Sequence, residues 1–411
     1  MPTDAQATVR YLLSPQAIRD RSQRLFDLAC ANHLDHFRCD LNQLPGAASY
    51  VIQVMQHHYP EGKIPVHSRW RHFEVDGASR LAFMEPGLTQ MEAIERAKLK
   101  VDLAIVSVLL DAGAGGRWRY REPGTGQEFR RSEGLAIASF HSFYAGLFAS
   151  TANSPWQADA EALAQLTREQ LTQAFQVSEH NPLVGVEGRT MLMQKLGQTL
   201  LQAPEYFGHR HPRPGGLVDY WLRHSKAGTL SASLILTTLL QSLGGIWPGR
   251  VELAGINLGD VWPHPKLTGG ATGDRLVPFH KLSQWLTYSL LEPLTELGLN
   301  ITDLESLTGL AEYRNGGLFI DTEVLVPNHP AVLGQPHRPD SEVIVEWRAL
   351  TIILLDRLAD QIRTQLGQTQ AELPLPKILQ GGTWTAGRKI AREKRPAGSS
   401  PIQLTSDGTV F

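Results

Sequence analysis

Apolar residues recur at helical spacing along most of this chain, in runs separated by short polar or glycine-rich breaks, and they predict a mostly α-helical fold with small β-hairpins. Ser14 and Pro15 form an N-cap and first-turn pair, after which Ile18, Leu25, Phe26 and Leu28 continue the pattern to residue 31. Residues 90–110 read as one long helix, charged in its first half and buried on most faces in its second. Asp102 and Asp111 interrupt the apolar half. Isolated burial of a carboxylate costs several kcal/mol, so Asp102 is expected to bond a neighbouring helix end. Asp111 lies where the helix meets a glycine-rich loop and is open to a structural or a functional role.

Residues 118–122 and 127–131 alternate around Pro123-Gly124-Thr125-Gly126, a hairpin pattern. The polar turn Arg131-Ser132-Glu133-Gly134 then enters an apolar helix over 135–148, either as a cap or as a place where backbone amides hold a substrate oxygen. Further helices are expected over 154–175, 190–201 and 219–243, followed by a long irregular connection over 244–273 whose Trp247 and Trp262 argue for order and which is placed to cover a pocket. In the helix starting at Pro278-Phe279, His280, Lys281, Gln284 and Tyr288 share one arc of about 100°. Such a set resembles a pocket wall as much as a solvated face. Asp340 and Ser341 cap the last long helix, 342–366, where Glu346 and Arg348 break an apolar run and one of them is expected to face a buried polar site. The boundaries give one large helical domain over 1–372, which could form two lobes with a cleft between them, and a loop-rich tail over 373–411.

One stretch concentrates chemistry. In LTGLAEYRNGGLFID, residues 307–321, an acid, a phenol and a guanidinium (Glu312, Tyr313, Arg314) precede Asn315 and two glycines. The glycines predict that regular structure ends just after Arg314, with Leu318 to Ile320 forming a β-like run and a small hairpin following Asp321. On these residues alone, Glu312 and Arg314 are either a surface ion pair beside a loop or a carboxylate aimed into a cleft, with Asp321 as a second acid flanking the same turn.

Composition narrows the classes. The chain has 411 residues, 42% hydrophobic and 19% charged, with a formal net charge of -2, so no global field draws nucleic acid to it. Cys30 and Cys39 are the only cysteines, too few for a disulfide framework, and read as small buried residues of a reducing compartment. No secretory signal is expected in the first residues, and the apolar windows are too short for a span of about 20 residues, so a cytoplasmic protein without membrane contact is expected. His33, His36, His57, His58, His67 and His72 cluster without zinc-ligand spacing; no metal and no cofactor is expected.

The segments VDLAIVSVLLDAGAG, RSEGLAIAS, FHKLSQWLTYSL, LTGLAEYRNGGLFID, EWRAL and GGTWTAGRKIA together resemble the uracil-catabolism protein family of the URC pathway. LTGLAEYR, EWRA and FHKLSQ are also similar to motifs of the queuosine salvage family, N-glycosidases with a helical fold related to helix-hairpin-helix DNA glycosylases. Glu312 stands where that family's motif has Asp, and Asn315-Gly316 replaces its Pro-Gln. What the resemblance implies is an N-glycosidase acting on a ribosylurea, with or without a 5′ phosphate, left after uracil ring opening. Glu312 would then be the catalytic carboxylate, with Asp321, Asp111 or Glu346 as a second acid. Arg314, Tyr313, His280, Lys281, Gln284, Arg348, Ser132 and Glu133 would bind or orient a small ribosyl substrate. An amidohydrolase on an opened pyrimidine and a noncatalytic binding or assembly subunit are the alternatives.

Overall fold

The computed structural model describes residues 4–151, 154–247, 251–271, 273–395 and 397–405, and the chain is mostly α-helical. Its described strands are two or three residues long and pair two at a time. The chain divides into two compact units, one comprising Met1–His67, Gly249–Gln284 and Asp303–Ser406, the other Ser68–Pro248, Trp285–Thr302 and Asp407–Phe411. The division does not fall near residue 373. No described helix is long and apolar enough to cross a membrane.

The first unit is built on Glu342–Leu366, whose apolar residues are too closely spaced to leave it a solvated face over its first half; Pro15–Cys30, Leu44–His58 and Tyr313–Asp321 pack against it. Ser14 caps Pro15–Cys30, its hydroxyl accepting from the Ala17 amide at 3.3 Å. From that helix Arg19 donates to Asp356 at 2.8 Å and to the Leu307 carbonyl at 2.9 Å, fixing the chain that leads into Glu312.

The stretch 307–321 differs from its expected conformation. Helix does not end at the glycines; it begins at Tyr313 and runs through them to Asp321. The glycines serve helix packing. A Cβ on Gly316 would stand 2.6 Å from Nε1 of Trp347 and 2.9 Å from Oγ1 of Thr351, both on Glu342–Leu366. On the neighbouring helix Trp384–Lys394, a Cβ on Gly387 would stand 2.3 Å from the Arg314 carbonyl oxygen. The expected hairpin after Asp321 is also absent: Leu325–Pro327 pairs antiparallel with Phe37–Cys39, Leu325 opposite Cys39. The expected loop-rich tail is helical from Leu375–Ile378 through a π-helical turn, Leu379–Thr383, to Trp384–Lys394. Cys30 is exposed and Cys39 half-buried, so neither is the fully buried residue expected. The connection over 244–273 contributes strand Val261–Pro263, antiparallel to Leu276–Pro278.

The second unit contains Ala93–Leu109, Arg131–Tyr144, Val186–Gln202, Leu217–His224 and Ala232–Leu243. Asp102 bonds a helix end, as its burial required. It accepts from Arg213 at 2.8 Å and from the amides of Gly215 at 2.6 Å and Ala158 at 3.3 Å, and Gly215 lies in the turn that leads into Leu217–His224. The hairpin forms as Tyr120–Arg121 against Glu128–Phe129. Two expected long helices are broken. Residues 154–175 give Ala160–Gln165, capped by Asp159, then Arg168–Ala174, started afresh by a Thr167/Gln170 capping box. Residues 219–243 are interrupted where Ala227 and Gly228 take positive φ, and strand Thr229–Ser231 pairs in parallel with Asn300–Thr302.

Two helical glycines should therefore respond oppositely to alanine. Gly387→Ala forces a backbone contact apart and should lower stability by about 1–3 kcal/mol. A Cβ on the exposed Gly46 of Leu44–His58 meets nothing within 4 Å, so Gly46→Ala should raise stability by about 0.5–1 kcal/mol. Urea unfolding of the two variants beside the parent checks both signs.

Candidate functional site

Glu312 has extended backbone, φ -123° and ψ 164°, and caps the helix that follows. Its Oε1 accepts from the Asn315 amide at 2.6 Å and its Oε2 from the Arg314 amide at 2.8 Å. The carboxylate thus sits against the positive end of a helix, where the backbone favours negative charge. Glu312 is only 8% exposed. Burial holds its carboxyl above the ordinary glutamate range, against the pull of the two amides and of the Arg314 and Lys281 charges.

Cations and aromatics gather around Arg314 and Trp384. The Arg314 guanidinium lies 5.1 Å from the Tyr313 ring centroid and 4.8 Å from that of Trp384, the range of cation–π attraction. Trp384 begins its helix directly after the π-helical turn, a local widening that redirects the side chains beyond it. Arg388, one turn on, lies 5.7 Å from the same ring. His67 reaches Trp384 with ring centroids 6.2 Å apart, and its Nδ1 lies 2.9 Å from Oε1 of Gln380. Gln380 donates through Nε2 to the Tyr59 hydroxyl at 3.2 Å, so Nδ1 of His67 carries the proton and Nε2 is the acceptor. Burial, against that hydrogen bond and with help from the Lys281 charge, lowers the His67 pKa to about 4, which keeps the ring neutral near pH 7.

Arg348 and Asp260 hold the approach to Glu312. Arg348 pairs both Nη atoms with the two oxygens of Asp260 at 2.7 Å, lies 4.1 Å over the Phe279 ring, and donates through Nε to the Ala311 carbonyl at 3.2 Å. Asp260 also accepts from Trp262 Nε1 at 2.8 Å and from the Lys281 amide at 3.1 Å. Burial alone would raise its carboxyl, but the Arg348 charge and these hydrogen bonds hold it far below the usual carboxylate range. His280 takes positive φ, 47°, and its Nε2 lies 2.9 Å from the Leu12 carbonyl, so it anchors the N-terminal chain. Gln284 donates to Thr308 at 2.9 Å, while its Oε1 and the Oδ1 of Asn315 are buried without a hydrogen-bond partner among the described residues.

The remaining sequence candidates make other contacts. Asp321 ends the helix that Glu312 begins, nine residues or about 13 Å away along its axis, and pairs both oxygens with Arg395 at 2.7 and 2.6 Å. The structure does not bring it to Glu312. Glu346 is fully buried, its Oε1 3.4 Å from Nε2 of the equally buried His264 and its Oε2 accepting from the His36 amide at 3.2 Å. Asp111, Ser132 and Glu133 belong to the second unit and gather around the buried Arg69. Its Nη1 lies 3.1 Å from Asp111 and 3.4 Å from the Ser132 carbonyl, its Nε donates to Ser107 at 2.7 Å, and the Glu133 charge acts on it.

The sequence reading missed Asp260 and Trp384 and gave His67 no role of its own. Asp260 is one acid in a glycine-rich connection, and the glycines before Trp384 looked like a loop. A signal is present in the sequence: Trp384 and Arg388 both lie in GGTWTAGR, one of the segments that resemble the uracil-catabolism family.

A family model described as a protein of unknown function, DUF1688, matches residues 11–411, and the chain belongs to that family. The chain is 41% identical over 417 residues to "Protein urg3" of Schizosaccharomyces pombe, covering 98% of this chain and 99% of the relative. It is 37% identical over 439 residues to "Uracil catabolism protein 4" of Lachancea kluyveri, again covering 98% and 99%. These relatives agree with the uracil-catabolism family that the sequence motifs resemble.

Removing one partner of the Asp260–Arg348 pair leaves the other charge buried. Asp260→Leu should cost about 3 kcal/mol, and its combination with Arg348→Met should cost less than either single change. Denaturant midpoints for the four proteins of this cycle check the ordering.

Proposed function

We propose that this chain acts in uracil catabolism as an N-glycosidase that hydrolyses a ribosylurea, with Glu312 as its catalytic carboxylate. The observation that carries the reading is the buried Glu312 carboxylate, held by two backbone amides at a helix N-terminus. The name "Uracil catabolism protein 4" carried by a full-length relative supports the pathway. The likeness of LTGLAEYR, EWRA and FHKLSQ to queuosine salvage N-glycosidases supports the bond that is cleaved.

Hydrolysis breaks the bond between C1′ and the urea nitrogen as positive charge develops on the sugar ring. A water oxygen adds to C1′ as the bond to the urea nitrogen breaks, one of the water protons passes to Glu312, and Glu312 returns that proton to the departing nitrogen, giving ribose, urea and the regenerated carboxylate. A carboxylate about 4 Å from the developing charge, at an effective dielectric near 20, contributes roughly 4 kcal/mol, about a thousandfold in rate. Both Glu312 oxygens already accept amide hydrogens, so the group reaches the transition state without reorganising, which is what electrostatic catalysis requires. Lys281, Arg314 and Arg388 supply positive charge suited to a sugar phosphate, and the unsatisfied oxygens of Gln284 and Asn315 would accept from sugar hydroxyls.

Incubation of ribosylurea and its 5′-phosphate with the protein, followed by assay of free urea and pentose, tests the activity directly. Glu312→Gln keeps the size of the side chain and one of the two accepting oxygens of the cap, and should retain a folded far-UV spectrum while lowering turnover about a thousandfold. Unchanged turnover would remove Glu312 from the chemistry. Because burial raises the carboxyl of Glu312 and the ionised form is the active one, kcat/KM should fall on the acid side with an apparent pKa above the ordinary glutamate value. The residual activity of Glu312→Gln should lack that limb.

A further inference from the structure

The second unit contains a cavity of about 730 Å³ that no residue of the Glu312 site lines. Its size falls within the range of small-molecule sites. Phe83, Tyr120, His141 and Tyr144 supply ring surface to it, and Gln170 and Gln173 supply amides. Phe83 is 53% exposed and Tyr144 38%, and in the second unit two large rings so placed beside a cavity leave an apolar surface that a flat ligand would cover.

The walls are built to hold their positions. Tyr144 stacks on Trp156 at 5.6 Å and 24° and on Phe140 at 6.3 Å and 10°. Phe83 stands 6.3 Å from both Tyr144 and His141. His141 stacks on Tyr120 and places its Nε2 3.0 Å from Oε1 of Glu122. Glu122 is itself 2% exposed and takes both Nε and Nη2 of Arg80 at 2.9 Å. Burial would raise the Glu122 carboxyl, but the hydrogen bonds from Arg80, His141 and Thr125 outweigh it and lower its pKa to about 2, so it stays ionised. An ionised Glu122 accepts from Nε2–H of His141, so in the neutral ring Nδ1 is the acceptor for a ligand N–H. Gln170 is partly committed: its Oε1 accepts from the Thr167 amide at 2.9 Å in the capping box, and its Nε2 remains to donate. Gln173 offers both a donor and an acceptor.

Charge selects among ligands. The lining residues include no Lys, Arg, Asp or Glu, so nothing there compensates a phosphate or carboxylate taken out of water. Flat aromatic walls with an imidazole acceptor and amide edges instead match an uncharged planar heterocycle that carries its own N–H donors and carbonyl acceptors.

We propose that this cavity binds a neutral nucleobase or nucleoside, stacked against Phe83 and Tyr144 with its hydrogen-bonding edge on His141 and Gln173. The site is separate from the Glu312 carboxylate and does not depend on the reaction assigned there.

Trp156, stacked on Tyr144, gives an intrinsic fluorescence signal next to the cavity, and calorimetry of the full chain gives the affinity independently. Uracil, uridine, adenosine and uridine 5′-monophosphate are the probes. At least one uncharged probe should bind saturably, and uridine 5′-monophosphate should bind at least about tenfold more weakly than uridine. Phe83→Ala, at a position exposed enough for the fold to tolerate it, should weaken binding about tenfold or more, as loss of a stacking ring does. His141→Gln should also weaken it, while Glu312→Gln should leave it unchanged. Absence of saturable binding by every uncharged probe, equal or tighter binding of the monophosphate, or binding indifferent to Phe83→Ala would each overturn the assignment. Loss of binding in Glu312→Gln would overturn it too, by placing the ligand in the other site.

Discussion

The close approach of three helices in the first unit is the constraint on which the Glu312 site depends. Tyr313–Asp321 packs so tightly between Glu342–Leu366 and Trp384–Lys394 that Gly316 and Gly387 have no room for a Cβ. A short helix of nine residues has little stability of its own. Burial between two neighbours supplies it, and Glu312 satisfies amides that its first turn would otherwise leave unpaired. The same packing brings Arg314 to Trp384 and places a carboxylate where water is largely excluded. Structure and candidate chemistry therefore rest on the same contacts.

Around that packing, the charged groups are held in pairs whose geometry is close to ideal. Arg348 meets Asp260 through two hydrogen bonds while reaching the Ala311 carbonyl, and Arg395 meets Asp321 in the same way at the other end of the short helix. Buried carboxylates cost several kcal/mol unless compensated, and these are compensated by rigid, bidentate guanidinium groups rather than by lysines. Glu312 differs from both. Its hydrogen bonds come from backbone amides, so no guanidinium is committed to neutralising it, and its burial is not fully offset. A carboxylate poised in this way is the one with free energy left to gain from a positive charge arriving next to it.

Much of the helical framework was legible in the sequence because it follows from local rules. Ser14-Pro15 announces Pro15–Cys30, the apolar run after Ser341 announces Glu342–Leu366, and Pro123-Gly124 marks the hairpin. The need to pair a buried Asp102 likewise implies a partner of the kind that Arg213 and the Gly215 amide supply. What failed was the meaning of glycine. Asn315-Gly316-Gly317 and Gly381-Gly382 read as turns because local propensity disfavours glycine within helices, yet a Cβ on any of the four glycines would stand about 3 Å or less from a side chain distant in sequence. That information is tertiary, and one sequence does not contain it in local form. The broken helices failed for the opposite reason: Thr167 and Gln170 form a capping box that interrupts an otherwise continuous apolar pattern.

The position of Glu312 was legible, and its environment was not. An E-x-R triplet beside a turn is ordinarily a solvated pair, and the sequence alone left that possibility open. In the structure Glu312 and Arg314 do not face each other as such a pair: the carboxylate turns back onto the amides of its own helix, and the guanidinium turns out over two aromatic rings. Separation of the two charges is what an N-cap imposes, because the cap side chain must reach the residues two and three positions ahead. The geometry that makes the acid structural also fixes where its charge lies. A cap residue replaced by its amide keeps its size and one accepting oxygen and loses its charge, so stability and turnover measured on that same variant separate the two contributions of Glu312.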